Sequence, residues 1–114
     1  MLIDYGAFLE GQDLTKASAV LRDALQMNPA NATANYELGR TMQRLGRDAE
    51  AEHYLSAAIK LDRNYTSAYW ILSTLTRKRG DRALAATYLD EFQRLKERDK
   101  KDGTSETVLS LQHR

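Results

Sequence analysis

Cysteine is absent from this 114-residue sequence, and proline occurs once, as Pro29. Without thiols there is no disulfide framework, no cysteine nucleophile and no cysteine-rich zinc site. A single proline leaves room for long uninterrupted helices. No apolar run approaches the roughly 20 residues of a membrane-spanning helix. The first ten residues lack a basic start and carry Asp4 and Glu10 where an export signal would be apolar. With neither signal nor span in this chain, the cytoplasm is the favoured compartment. The net charge of +1 supplies no bulk attraction to nucleic acid or to an anionic membrane, so any charge-driven specificity rests on where charges sit.

Catalytic signals are equally sparse. The two histidines, His53 and His113, are far apart in sequence. His53 stands beside Glu50 and Glu52 and reads as a solvated side chain, since zinc needs three or four converging ligands. No metalloprotease, nucleophile-elbow or phosphate-cradling motif occurs. Adjacent acids such as Asp90 and Glu91 point in different directions on a helix, which suits solvation. No enzyme activity, metal or cofactor is expected.

What is present is an ordinary soluble balance, 42% hydrophobic and 29% charged, which argues against disorder. It is organised by a 34-residue step. Ala17, Ala51 and Ala85 repeat at that interval, as do Leu21, Leu55 and Leu89, and Met27, Leu61 and Leu95. Ala34 and Ala68, Leu38 and Leu72, Tyr54 and Tyr88, and Gly46 and Gly80 keep the same register. Within one period Leu38, Met42 and Leu45, then Ala51, Leu55, Ala58 and Ile59, follow helical spacing on either side of Gly46. A helix, a glycine turn and a second helix make an antiparallel pair. Gly39, Ala51 and Ala58 are small enough to let the two helices approach closely. Each pair leaves an apolar face that the next pair must cover.

The second unit resembles a tetratricopeptide repeat at Leu38-Gly39, Gly46, Ala51, Leu55 and Ala58. The third is similar at Tyr69, Leu72, Gly80, Ala85 and Leu89, and departs with Ser73 and Phe92, where the family favours glycine and alanine. A phenylalanine there would clash with a further standard repeat, so Phe92 is expected to end the stack and cover its last groove. The first unit matches at Ala17, Leu21, Ala24 and Pro29, while Gly11 falls one place before the expected turn. The resemblance implies an all-α, right-handed superhelical stack of antiparallel helix pairs over residues 1–97, with units of about 1–31, 32–65 and 66–97. Six helices are expected, near 2–10, 13–27, 31–45, 48–61, 65–79 and 81–98. Asp13, Asp48 and Asp81 are expected at the starts of second helices, with Asn31 and Asn64 serving first helices. Gly103 reads as a stop, and residues 98–114 as a polar tail or a short capping helix through Val108, Leu109 and Leu111.

In the family, first helices line a concave groove. The matching positions are Thr33, Tyr36, Arg40, Gln43 and Arg44 in the second unit and Ser67, Trp70, Thr74, Arg77 and Lys78 in the third. Tyr36, Arg40, Gln43, Arg44, Trp70, Thr74, Arg77 and Lys78 are thus the candidate binding residues, a patch with two aromatics and four cations. Tryptophan, tyrosine and arginine are frequent interface anchors, and guanidinium forks match carboxylates. The expected role is a protein-interaction scaffold that holds a partner peptide with acidic groups or a free C-terminal carboxylate. Packing of Tyr36 and Trp70 between neighbouring first helices is the competing account. The family's clamp for chaperone tails wants lysine and asparagine where this chain has Leu2 and Gly6, and Ser67 and Ile71, so chaperone tails are not the expected ligand. A homo-oligomerising module, or a docking fragment of a larger protein, stands as the alternative. Nucleic-acid binding is disfavoured, because 16 acidic residues offset the groove bases.

Overall fold

A computed structural model describes the backbone of residues 2–112 and the side chains of residues 13–100. The helices are α1 (Leu2–Met27), α2 (Ala32–Arg44), α3 (Asp48–Leu61), α4 (Thr66–Arg79) and α5 (Arg82–Gln112). No strand occurs among the described residues. α2 packs most closely on α3 and α4 on α5, with α1 laid on α2 and α3 on α4. The fold class is the expected all-α stack.

The turns between α2 and α3 and between α4 and α5 share one device. Gly46 and Gly80 adopt φ of 80° and 96°, the left-handed region that a side chain disfavours. Gly80 then caps α4, its N–H bonding back to the Thr76 and Arg77 carbonyls. The Asp81 carboxylate accepts from the Leu84 N–H at 3.1 Å, and Asn31 accepts from the Ala34 N–H at 3.0 Å. Both are the expected N-terminal caps. Asn64 and Asp48 do not act this way: Tyr65 and Arg47 hold the cap positions, without side-chain bonds.

Five helices replace the expected six because α1 runs unbroken through Gly11, leaving Asp13 inside the helix and not at its start. A glycine inside a helix costs only about 1 kcal/mol, which favourable neighbours outweigh. Likewise α5 continues through Gly103, so no stop occurs there. The side chains of Val108, Leu109 and Leu111 lie outside the described residues.

The core is built from the repeated register. Leu38, Met42, Ala51, Leu55, Ala68, Leu72 and Leu75 form one buried cluster. Gly39 lets α3 approach: a Cβ placed there would sit 2.6 Å from Leu55 Cγ. Leu21 and Leu25 dock α1 onto this cluster. The buried Asn35 side chain donates to the Pro29 and Asn31 carbonyls at 3.2 and 3.0 Å, tying the α1–α2 turn to α2. Among the described residues no buried side-chain N or O atom lacks a partner. The register fails at its upstream end. Ala17 and Ala24 share positions with the fully buried Ala51 and Ala58, yet both are exposed.

Candidate functional site

Two first helices and the last helix converge on one open groove of about 590 Å³. α2 contributes Tyr36 and Arg40, α4 contributes Ser67, Trp70 and Ile71, and α5 contributes Phe92. The residues at i and i+4 on α2, and at i, i+3 and i+4 on α4, share a helix face, which is why they reach the same space. This volume is within the range of small-ligand and side-chain pockets.

The groove is aromatic. Tyr36 stacks on Tyr65 with ring centroids 4.7 Å apart. Trp70 lies 5.3 Å from Phe92, tilted by 46°. Such offset and tilted pairs hold one another in place. Trp70 nevertheless keeps 52% of its surface exposed, an unusual cost for the largest aromatic side chain in the chain. Lys96 Nζ stands 5.8 Å over the Phe92 ring, so the aromatic wall has a cation beyond it. Arg40 is exposed on the opposite wall, and among the described residues no carboxylate pairs with it.

The structure separates the other candidates. Thr74 turns its hydroxyl back to the Trp70 carbonyl at 3.1 Å. Lys78 binds Asp48 at 2.9 Å across the α3–α4 contact. Arg77 lines a different depression of about 420 Å³ with Arg82, Ala85, Ala86 and Leu89. Gln43 is half-buried, while Arg44 is exposed and engaged in an interaction of its own. Three of the eight candidates, Tyr36, Arg40 and Trp70, therefore line the aromatic groove. Phe92 does stand against the last first helix, but as a groove wall. Ile71 in the lining, and Tyr65 and Lys96 as partners of the lining rings Tyr36 and Phe92, were not legible in the sequence. Tyr65 lies just before a helix and Lys96 in a charge run, where nothing in the spacing marks them.

Elsewhere the described surface carries ion pairs. Arg79 forks onto Glu52 at 2.7 and 3.1 Å, which holds the guanidinium above its ordinary pKa. Arg94 does the same for Glu91, whose carboxyl is drawn below the usual carboxylate range by that bond. Among the described residues, no three histidine, cysteine or acidic side chains gather as a metal site. None of their helices is long and apolar enough to cross a membrane.

The tetratricopeptide repeat family model matches residues 8–77, more than half of the chain. No curated protein matches the sequence. Among solved structures, the crystal structure of MamA superposes with a TM-score of 0.74 at 22% identity, covering 78% of this chain and 52% of MamA. The Yersinia enterocolitica type III secretion translocator chaperone SycD superposes with a TM-score of 0.72 at 19% identity, covering 94% of this chain and 77% of SycD. This chain thus spans about half the length of the MamA structures, and at these identities the likeness concerns the fold alone. The 34-residue register, the glycine turns and the family match agree, and the chain belongs to the tetratricopeptide repeat family.

Proposed function

We propose that this chain is a protein-interaction scaffold whose aromatic groove seats an apolar anchor of a partner peptide carrying an acidic group or a C-terminal carboxylate. The observation that carries the reading is Trp70, half exposed yet braced by Phe92, inside a groove with Arg40 on one wall and Lys96 beyond the other. A rigid aromatic can bury a large area on binding without losing much side-chain entropy, and a flanking guanidinium selects carboxylate. Proteins of this family serve typically as binding scaffolds and not as enzymes, which agrees with the absence of a catalytic motif from the sequence.

The test is a displayed-peptide selection against the full chain, with affinities followed through the fluorescence of Trp70, the single tryptophan. Selected peptides should pair an aromatic or aliphatic anchor with an acid. Trp70→Ala should weaken them by about 30-fold or more, the loss expected of a hot-spot aromatic, measured calorimetrically because the fluorophore is gone. Arg40→Glu should weaken acidic peptides and spare neutral analogues. Arg77→Glu, in the other depression, should change little. Peptides that bind Trp70→Ala and the parent equally would refute the assignment.

A further inference from the structure

The α3–α4 contact shows how one helix pair receives the next. Lys78 and Arg79 end α4 and reach Asp48 and Glu52, near the start of α3, at 2.9 and 2.7 Å. The two helices therefore run antiparallel. Below these ion pairs, Ala51 and Leu55 of α3 are buried in one cluster with Leu72 and Leu75 of α4. The receiving stripe on α3 is thus acid, alanine, acid, leucine at positions 48, 51, 52 and 55, which share one helix face.

The same stripe recurs 34 residues on with its charge inverted. Arg82, Ala85, Ala86 and Leu89 of α5 line the depression of about 420 Å³ together with Arg77 of α4, which stands where the register has Gln43. The acid at 48 is replaced by a guanidinium at 82, and the acid at 52 by a methyl group at 86. Ala85 is buried and Leu89 half-buried, so the floor is apolar and the rim cationic. Arg77 and Arg82 are both exposed, and among the described residues no carboxylate pairs with either. The acids of this region are engaged elsewhere: Asp48 by Lys78, and Asp81 by Arg79 at 3.7 Å.

We infer that this depression docks a partner helix bearing a carboxylate where α4 bears Lys78. Charge complementarity names the occupant. A helix laid on α5 as α4 lies on α3 brings apolar residues, at the places of Leu72 and Leu75, onto Ala85 and Leu89. It brings the side chain at the place of Lys78 onto Arg82. A lysine there would meet two like charges, whereas an aspartate or glutamate matches the guanidinium fork. The place of Arg79 needs no base, since Ala86 offers no acid. The recognised pattern is apolar, apolar, acid at steps of three. None of the residues lining this depression lines the aromatic groove, so the inference does not depend on the proposed peptide site.

The probe is a helical peptide of residues 69–79 carrying Lys78→Glu and Arg79→Ala. A hydrocarbon staple replaces Trp70 and Thr74, which are exposed in α4 and one turn apart. The comparison peptide is identical but keeps Lys78 and Arg79. Titrated into the isotope-labelled full chain, the acidic peptide should shift the amide resonances of Arg77 and of residues 82–89 and leave those of Tyr36 and Arg40 in place. It should bind about tenfold more tightly than the basic peptide, a preference that shrinks as salt is raised. Arg82→Glu should reverse the preference, so that the basic peptide binds more tightly. This variant should keep its circular dichroism, because an acid is favoured in the first turn of a helix. No shifts at residues 82–89 with the acidic peptide, equal affinity for the two peptides, or a preference untouched by Arg82→Glu would overturn the inference. So would inorganic phosphate reproducing the same shifts at equal concentration, which would mark a plain anion site.

Discussion

Replacing Gly39 with alanine perturbs a close approach of α2 to α3, and its outcome can be worked from the structure. A Cβ at this position would lie 2.6 Å from Leu55 Cγ, with Leu55 Cδ2 and the Ala51 carbonyl oxygen each at 3.1 Å. Leu55 Cγ is a branch atom of a fully buried side chain, and the Ala51 oxygen belongs to the α3 backbone. Neither can swing aside, so α2 and α3 must separate or Leu55 must leave its rotamer. Alanine in a helix interior gains about 1 kcal/mol over glycine. Overpacking a dense core costs about 1–3 kcal/mol, more where backbone must move. Because the α3 backbone must move, the cost lies toward the top of that range, and the expected net loss is about 1–2 kcal/mol, a Tm decrease of about 5–15 °C for a domain of this size. The assay is thermal and urea unfolding followed by circular dichroism. A double-mutant cycle with Leu55→Ala identifies the cause. If the clash is with Leu55, removing that side chain should recover a coupling energy of about 1 kcal/mol or more. Gly39→Ala leaving Tm unchanged or raising it, or strict additivity with Leu55→Ala, would refute the close-packing argument.

Two further outcomes follow from single side chains. At Gly80, φ is 96° and a Cβ would touch nothing within 4 Å, so Gly80→Ala should cost about 1 kcal/mol through backbone strain alone, seen as a lower urea midpoint with unchanged slope. Tyr69 is buried, and its hydroxyl donates to the Arg63 carbonyl at 2.9 Å. Burial, followed by the nearby Glu91 charge, raises its pKa above the ordinary tyrosine value. The neutral phenol is the form the fold favours, so this stabilisation is fully present below pH of about 10 and is lost as pH rises through the raised folded value. Denaturation curves taken across that alkaline window should show a decline that Tyr69→Phe reduces; an identical decline in the variant would refute the assignment.

What the sequence displayed and what it concealed divide along a physical line. Leu38, Gly39, Ala51 and Leu55 were legible because each meets a partner within its own helix pair, and that contact recurs at the 34-residue step. The spacing alone encodes such contacts. Ala17 and Ala24 carry the same spacing and are exposed, because their burial depends on a neighbour that the local pattern does not contain. Gly11 shows the same limit from another side. A glycine permits a turn but does not compel one, and Gly46 turns only because both flanking helices have a face to bury against each other.

The groove illustrates why a shared register does not make a shared site. Arg40 and Thr74 hold equivalent positions, as do Gln43 and Arg77, and Arg44 and Lys78. Lys78 nevertheless serves an ion pair with Asp48, and Arg77 faces the downstream end of the stack. Long cationic side chains go where a charge or a depression is offered, and that is decided by the next helix over. Phe92 shows the converse. Its counterpart one unit earlier is Ala58, fully buried, whose small size leaves room for the helices that follow. The ring at that point sets an aromatic wall 5.3 Å from Trp70. The departures from the repeat, and not the residues that keep it, are what turn two similar helix pairs into one groove with a side chain to offer.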